Sequence, residues 1–453
     1  MFVDTHAHLF YPNFKDDLPE VIDRATENGI DYIIVPSTDI ASASEAIELS
    51  DMYPQVYAAI GIHPHDSKEW DEKFIEKIEE LAKHPKVVAI GEIGLDYYYD
   101  FSPKEKQIAA FRAQLDLAVK LGLPVIIHNR ESDEDVLSIV KEYANKNLRA
   151  QFHCFNGSIS YAKEVISLNH FVSFTGNITF SKADSLRDVV KSISMENILL
   201  ETDSPFMTPK PYRGQRNEPA YTRLIAEQIA QIFNITVEDV GRITSANVFR
   251  LFGIGKNPDV SYTYKIGNAL YVNVTNRCNA DCVFCDRKGH AIISGYNLKM
   301  DKSEEPPESV YIGEIGDPKQ YSEIVFCGYG EPTIRWDVIK SVAKYVKDKG
   351  GKTRMNTNGH GNLINHKDIT KEMNGFIDTV SISLNTTDPA EYARIMRLDE
   401  KYFHEMVDFA KKSRDAGIKV VLSAVTLSEI DLEKARKFAE EEIKVHFRER
   451  QYF

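Results

Sequence analysis

Between residue 1 and about residue 255 one pattern recurs eight times: a short β-branched, apolar run, then a stretch long enough for an amphipathic helix. The strand runs are Met1–His8, Tyr32–Pro36, Val56–His63, Val87–Leu95, Pro124–His128, Leu148–His153, Phe171–Thr175 and Ile198–Thr202. Helical spacing fills Leu18–Asn28, Lys73–Lys83, Lys104–Leu121, Asp135–Tyr143, Tyr161–Leu168 and Leu186–Ile193. Eight such units predict an α/β fold, a (β/α)8 TIM barrel, whose chemistry gathers at the C-terminal ends of the strands.

Those ends carry metal-ligand residues. His6 and His8 follow the first, and in an extended strand residues i and i+2 point the same way. His63 and His65 follow the third, Glu92 lies near the end of the fourth, His128 ends the fifth, His153 the sixth, and Glu201 and Asp203 follow the eighth. A lone His-x-His is more often an incidental surface pair, but histidines recurring on one face of one barrel are not explained by core packing. Imidazoles and carboxylates in these proportions suit zinc, manganese or magnesium and exceed what one tetrahedral ion takes. Two ions fit.

The chain has 453 residues, too many for one ordinary core, and two domains are expected. Its net charge of -13 provides no global basic footprint, so any nucleic-acid contact has to be local. No apolar run approaches the ~20 residues of a membrane span, and charged Asp4 interrupts any leader peptide, so a cytoplasmic location and no membrane partner are expected. Of five cysteines, Cys278, Cys282 and Cys285 cluster while Cys154 and Cys327 stand apart, which argues for metal or cluster chemistry over disulfides.

The motifs D-T-H-A-H at 4–8, G-I-H-P-H at 61–65, G-E-I-G-L-D at 91–96, I-H-N-R at 127–130, F-H-C-F at 152–155 and E-T-D-S-P at 201–205 resemble the TatD family of metal-dependent deoxyribonucleases. The resemblance implies that His6, His8 and Asp203 hold one divalent ion, that His128 and His153 hold the other, and that Glu92 bridges them; the ion may be read as Mg2+, Mn2+ or Zn2+. Asp203 or Glu201 is then the candidate proton acceptor, with Glu92, Asp203 and Glu201 forming the catalytic set. His63 and His65 resemble residues near that site without being ligands, and their role stays open. Arg130, Lys210, Arg213 and Arg216 are candidate phosphate contacts, against the alternative of an ordinary solvated loop. Tyr97, Tyr98 and Tyr99 either stack on an unpaired base or pack the barrel rim.

Past Phe252-Gly253 the repeat breaks, giving boundaries of 1–256 for the first domain, 257–266 for a linker and 267–453 for the second domain. A strand at Ala269–Val274 precedes C-x3-C-x2-C at Cys278, Cys282 and Cys285, with Phe284 before the last cysteine. This spacing resembles the radical S-adenosylmethionine superfamily. Three thiolates on a [4Fe-4S] cluster leave one iron open for the amino and carboxylate groups of S-adenosylmethionine. A Cys3His zinc site completed by His290 is the alternative.

Strand Ile324–Cys327 runs into Gly328-Tyr329-Gly330-Glu331-Pro332, similar to that superfamily's Gly-Gly-Glu-Pro motif with Tyr329 in place of a glycine. Asn358 and Ser383, at the ends of Thr353–Thr357 and Thr379–Leu384, resemble positions lining the cofactor. With Lys419–Val425 and Ile443–Phe447, six strands predict a partial (β/α)6 barrel. The resemblance implies cofactor cleavage with an outside electron donor of flavodoxin or ferredoxin type. The whole chain resembles TatD-linked radical SAM proteins: a two-metal phosphodiesterase with DNA as substrate, expected to act as an exonuclease on single strands, fused to a radical enzyme whose own substrate is not written in these motifs. The competing expectation is a metal-dependent amide or ester hydrolase of a modified metabolite or peptide.

Overall fold

A computed structural model of the chain describes residues 1–450 apart from 72, 286, 288 and 427–429. The chain divides into two compact units, Met1–Asn257 and Pro258–Phe453. No helix among the described residues is long and apolar enough to cross a membrane.

The first unit is the eight-stranded parallel barrel. Strands β1 Phe2–Asp4, β2 Ile30–Pro36, β3 Val56–Ile60, β4 Val87–Asp96, β5 Val125–Arg130, β6 Ala150–Phe152, β7 Phe171–Phe174 and β8 Ile198–Leu200 pair in sequence order. Hydrogen bonds from Thr5 N–H to the Leu200 carbonyl (3.0 Å) and from Asp203 N–H to the His6 carbonyl (2.9 Å) close β8 onto β1. Strand alternation sorts the side chains into two clusters. Ile33 and Val35 belong to the large cluster that also takes in helix residues such as Phe111, Leu115 and Ala118. Ile34 instead joins Val3, Ala59, Ile126, Phe171 and Leu199, which pack with Val248, Leu251 and Phe252 of the last helix, Val237–Phe252. A polar layer lies nearer the strand ends, where Gln151 Nε2 donates to Thr5 Oγ1 (2.8 Å), Ser173 Oγ (2.8 Å) and Glu201 Oε2 (2.7 Å). A buried amide needs such partners.

The first strand is shorter than its apolar run. β1 ends at Asp4, and His6 and His8 lie in irregular backbone beyond it. The reason is Asp4 itself: its carboxylate accepts from Thr202 N–H (2.9 Å), Thr202 Oγ1 (2.6 Å) and His6 N–H (3.2 Å), turning the chain across to β8.

The second unit carries β9 Thr263–Ile266, β10 Ala269–Asn273, a small hairpin of β11 Ile292–Ile293 and β12 Tyr296–Asn297, then β13 Ile324–Cys327, β14 Thr353–Thr357, β15 Thr379–Ser383, β16 Lys419–Val425 and β17 His446–Arg450. Six strands, β10 and β13 to β17, run parallel in sequence order, and β9 adds an antiparallel edge to β10. Two expectations shift. Residues 263–266, inside the expected linker, form β9, and the last strand starts at His446 because Phe438–Ile443 continues the preceding helix as a π-turn. The core of this unit is its own, built from Phe326, Trp336, Tyr392 and Phe409 among others.

Candidate active sites

In the barrel, the six expected donors converge. Glu92 stands between two groups, and its two oxygens face different ways. Oε2 lies 3.2 Å from His6 Nε2 and 3.6 Å from His8 Nε2, while Oε1 lies 2.8 Å from both His128 Nδ1 and His153 Nε2. Asp203 Oδ1 completes the first group at 3.8 Å from His6 Nε2 and 3.6 Å from His8 Nε2. His6 and His8 place their Nε2 atoms 3.1 Å apart, and His128 Nδ1 is 3.2 Å from His153 Nε2. Two nitrogens each about 2.05 Å from one tetrahedral ion are about 3.3 Å apart. The spacing therefore suits one ion per pair, with a carboxylate oxygen for each and Asp203 on the first. Asp203 has φ 54°, a left-handed conformation that L-residues adopt at a cost of roughly 1–2 kcal/mol.

What holds these donors is a second ring of residues. His8 Nδ1 faces the Pro36 carbonyl at 3.1 Å, so its proton goes there and Nε2 keeps a lone pair for an ion. Asp96 Oδ2 lies 3.0 Å from His128 Nε2 and does the same for that imidazole, leaving Nδ1 free toward Glu92. Burial alone would raise Asp96, but its bonds to His128 and His65 hold it well below the usual carboxylate range. Sequence reasoning missed this residue, although Glu92, Gly94 and Asp96 share one strand face by period-2 alternation. Gly94 is needed because a Cβ there would meet the His128 carbonyl at 2.0 Å, so β4 and β5 approach closely at the site.

His63 finds a role too. Its Nδ1 accepts from His65 N–H (3.1 Å), so the proton sits on Nε2, which donates to Glu92 Oε1 at 3.3 Å. Burial pulls its pKa down to about 4, and it stays neutral. It reaches the bridging carboxylate, and with Glu92 and His128 it makes up one of the donor groups that could hold an ion.

Glu201 lies elsewhere than a proton acceptor for substrate would. Its carboxylate is fully buried behind the ligands, 4.0 Å from His6 Nδ1 and 3.8 Å from His153 Nδ1, and takes bonds from Gln151 and from the Cys154 N–H. Burial pushes its pKa up to about 8. At those distances it makes no hydrogen bond to either imidazole, and His6, His153 and Glu201 together make up a further donor group that could hold an ion. The Asp203 side chain is 15% exposed against 0% for Glu201, so of the two only Asp203 opens toward the mouth.

The candidate phosphate cations separate. Arg216 is taken: its guanidinium bonds Asp17 at 2.6 and 2.7 Å and the Asn13 carbonyl at 2.7 Å, with Glu218 at 3.5 Å. Arg213 lies over the Phe180 ring at 4.2 Å, Lys210 is exposed, and Arg130 lies over the rings of Tyr98 (4.0 Å) and Tyr99 (4.7 Å). Tyr97 parts from its neighbours, half-buried with its hydroxyl donating to Asp135 at 2.7 Å.

In the second unit, Cys278, Cys282 and Cys285 are half-buried on the loop after β10. The Asp281 N–H bonds the Met396 carbonyl (3.2 Å) and the Val283 N–H bonds that of Ile395 (3.0 Å), which seats the loop; Phe284 packs on the core. Burial and the neighbouring thiols push Cys282 up to about 12. Gly330 is fixed by this loop, since a Cβ would meet the Arg277 carbonyl at 2.2 Å; Gly328 has φ 143° and faces the Thr275 carbonyl. Tyr329 turns away, its hydroxyl donating to the Ile292 carbonyl at 3.3 Å. Pro332 is buried at the start of the next turn.

Glu331 Oε1 accepts from Thr333 N–H (3.0 Å), Thr333 Oγ1 (2.5 Å) and Thr357 Oγ1 (2.7 Å), while Oε2 accepts the Asn358 N–H (2.7 Å) and, among the described residues, no other donor. Asn358 Nδ2 donates to Asn279 Oδ1 at 2.8 Å and lies 3.9 Å from Cys278 Sγ. Ser383 Oγ accepts from Arg450 Nη2 at 3.1 Å, a partner not anticipated because Arg450 lies 67 residues on.

Comparison with known proteins follows the same division. The family model for TatD-related DNases matches residues 3–253, and that for the radical SAM superfamily matches 272–441. The uncharacterized metal-dependent hydrolase YabD of Bacillus subtilis is 45% identical over 254 residues, 56% of this chain and 100% of its own. The 3'-5' ssDNA/RNA exonuclease TatD of Klebsiella pneumoniae is 35% identical over 259 residues, 56% of this chain and 98% of its own. The crystal structure of the TatD homologue YJJV from Escherichia coli superposes with a TM-score of 0.54 at 30% identity, covering 56% of this chain and 98% of that one. The chain therefore belongs to the TatD family of metal-dependent hydrolases and nucleases, with a radical SAM domain fused behind the hydrolase barrel.

Proposed function

We propose that the barrel is a two-metal phosphodiesterase acting as an exonuclease on single-stranded DNA. The observation that carries this is the divided carboxylate of Glu92, one oxygen toward each pair of imidazoles. His6, His8 and Asp203 would hold one divalent cation and His128 and His153 the other. Such a pair supplies Lewis acidity on both sides of a phosphodiester and a water acidic enough to be deprotonated near neutral pH. Asp203, the carboxylate open to the mouth, would be the proton acceptor. Asp96 and the Pro36 carbonyl fix the imidazoles of His128 and His8, and His63 lies against Glu92 at 3.3 Å. Lys210, Arg213 and Arg130 are the rim cations left for phosphate among the candidates.

In the second domain, Cys278, Cys282 and Cys285 would hold a [4Fe-4S] cluster, and Glu331, Asn358 and Ser383 would receive S-adenosylmethionine. The cluster supplies one-electron reduction of the bound cofactor, which requires an outside donor of flavodoxin or ferredoxin type.

The test uses anaerobically purified protein, single-stranded DNA and Mg2+ or Mn2+, comparing wild type with Glu92→Ala and with a triple cysteine-to-alanine variant. Cleavage lost only with Glu92→Ala supports a nuclease independent of the cluster. Cleavage absent from all three overturns the reading. One observation favours the alternative, a hydrolase of amides or esters: Arg216 is neutralised by Asp17 and Glu218, which thins the phosphate-binding charge. Charge reversal at Lys210 and Arg213 separates the two, since a neutral substrate is indifferent to it.

A further inference from the structure

We propose that Tyr98, Tyr99, Phe101 and Arg130 form a shelf on which an unpaired nucleobase stacks beside the metal centre, so that the barrel selects single strands by their free base faces. This deepens the nuclease reading and rests on it.

The three rings follow β4 directly and are 54%, 39% and 57% exposed. Large aromatic rings so open to water at the mouth of a site are unusual and ready to be covered. Tyr99 and Phe101 are stacked, with centroids 5.2 Å apart and planes 17° from parallel. Phe101 meets His65 edge-on at 4.8 Å. Arg130, at the end of β5, adds a flat cation at 4.0 Å from the Tyr98 ring and 4.7 Å from that of Tyr99. Tyr98 stands edge-on to Tyr99 at 4.8 Å and 90°, walling the flat face of the Tyr99–Phe101 stack, and such a face beside a guanidinium matches a base carrying a phosphate.

The shelf is fixed relative to the chemistry by one side chain. Asp96 Oδ1 accepts the N–H groups of Tyr98 and Tyr99, each at 3.0 Å, and pins the turn that carries them. Its other oxygen bonds His65 (2.8 Å) and His128 (3.0 Å), and His128 Nδ1 lies 2.8 Å from Glu92. A base on the shelf is thus held at a set distance from the bridging carboxylate. Tyr97 belongs elsewhere, tied to Asp135 and covered by Lys104 at 3.8 Å. Within a duplex both faces of a base are already stacked, so only an unpaired base has a face to offer.

The experiment uses the full-length protein, with a fluorescein-labelled single-stranded oligothymidylate as probe. Equilibrium binding is read by anisotropy in Ca2+ and cleavage in Mn2+, for wild type, Tyr98→Ala, Phe101→Ala and the conservative Phe101→Tyr. A second probe carries abasic residues in place of the nucleotides next to the cleaved bond. Stacking of about 1–3 kcal/mol per base translates into roughly 5- to 150-fold weaker binding and higher KM for each alanine variant. Phe101→Tyr should restore binding, bound metal should stay at the wild-type level, and the abasic strand should bind weakly and equally to all four proteins. Unchanged binding of oligothymidylate by the alanine variants, or equal wild-type affinity for the abasic strand, overturns the shelf; an aromatic peptide as the true occupant would give this second result. If wild type binds oligothymidylate through the shelf but cleaves nothing in Mn2+, the nuclease reading falls and the shelf stands.

Discussion

Asp96 joins two parts of the barrel site, because one oxygen sets the tautomer of His128 and the other pins the aromatic turn. Replacing it with Asn keeps the shape but puts an amide where His128 Nε2 needs an acceptor. Asp96→Asn is expected to weaken divalent-ion binding by about 10- to 100-fold, measured as Mn2+ or Zn2+ affinity by titration calorimetry. Glu201→Gln acts from behind two ligands and should weaken metal binding with little change in the pH profile of turnover; a shifted basic or acidic limb would mean that Glu201 handles the proton after all. The six candidate donors could be picked out in the sequence because each lies within or just beyond the C-terminal half of a strand, and the structure brings them together. Their supports could not, since Asp96, Gln151 and Asp4 act by contacts that only closure of the barrel creates.

At the scale of elements, the segment after β8 and the loop before the first helix are clamped together by charge. Arg216 and then Arg24 hold Asp17 down to about 2, below its ordinary 3.8. A carboxyl depressed on folding contributes stability above pH 4 that is lost as pH falls through 2. Asp17 is partly exposed, so the contribution after solvent screening is on the order of 0.5 kcal/mol. Thermal melts between pH 5 and 2 should show wild type losing slightly more stability than Asp17→Asn, and Arg216→Ala should shrink that difference while Arg24 keeps part of it. The same comparison explains why Arg216 looked like a phosphate ligand: its loop position was visible in sequence, but Asp17 lies 199 residues away. In the second unit the glycine turn was read as a cofactor-binding motif, and packing gives Gly330 a separate reason. Gly330→Ala drives a methyl into the Arg277 carbonyl and should displace the cysteine loop. Reconstituted Gly330→Ala should hold markedly less iron than wild type while hydrolysis by the barrel is retained.

Across the whole molecule, each unit closes a separate hydrophobic core, one built on the eight-stranded barrel and one on the six parallel strands. Separate cores imply separately cooperative unfolding. A ligand that binds one native unit stabilises only that unit, by about 2.7 kcal/mol when its free concentration is 100 times its dissociation constant. Calorimetry of the full chain should therefore show two transitions that respond to different additions. Mn2+ or Zn2+ raises one, and a chelator lowers that same one; Glu92→Ala makes it insensitive to both. Cluster reconstitution, followed by S-adenosylmethionine, moves the other, and the triple cysteine variant abolishes that response. A single transition moved by every addition would mean that the units unfold together, and fusion would then be a structural requirement of each domain as well as a way to keep two activities on one chain.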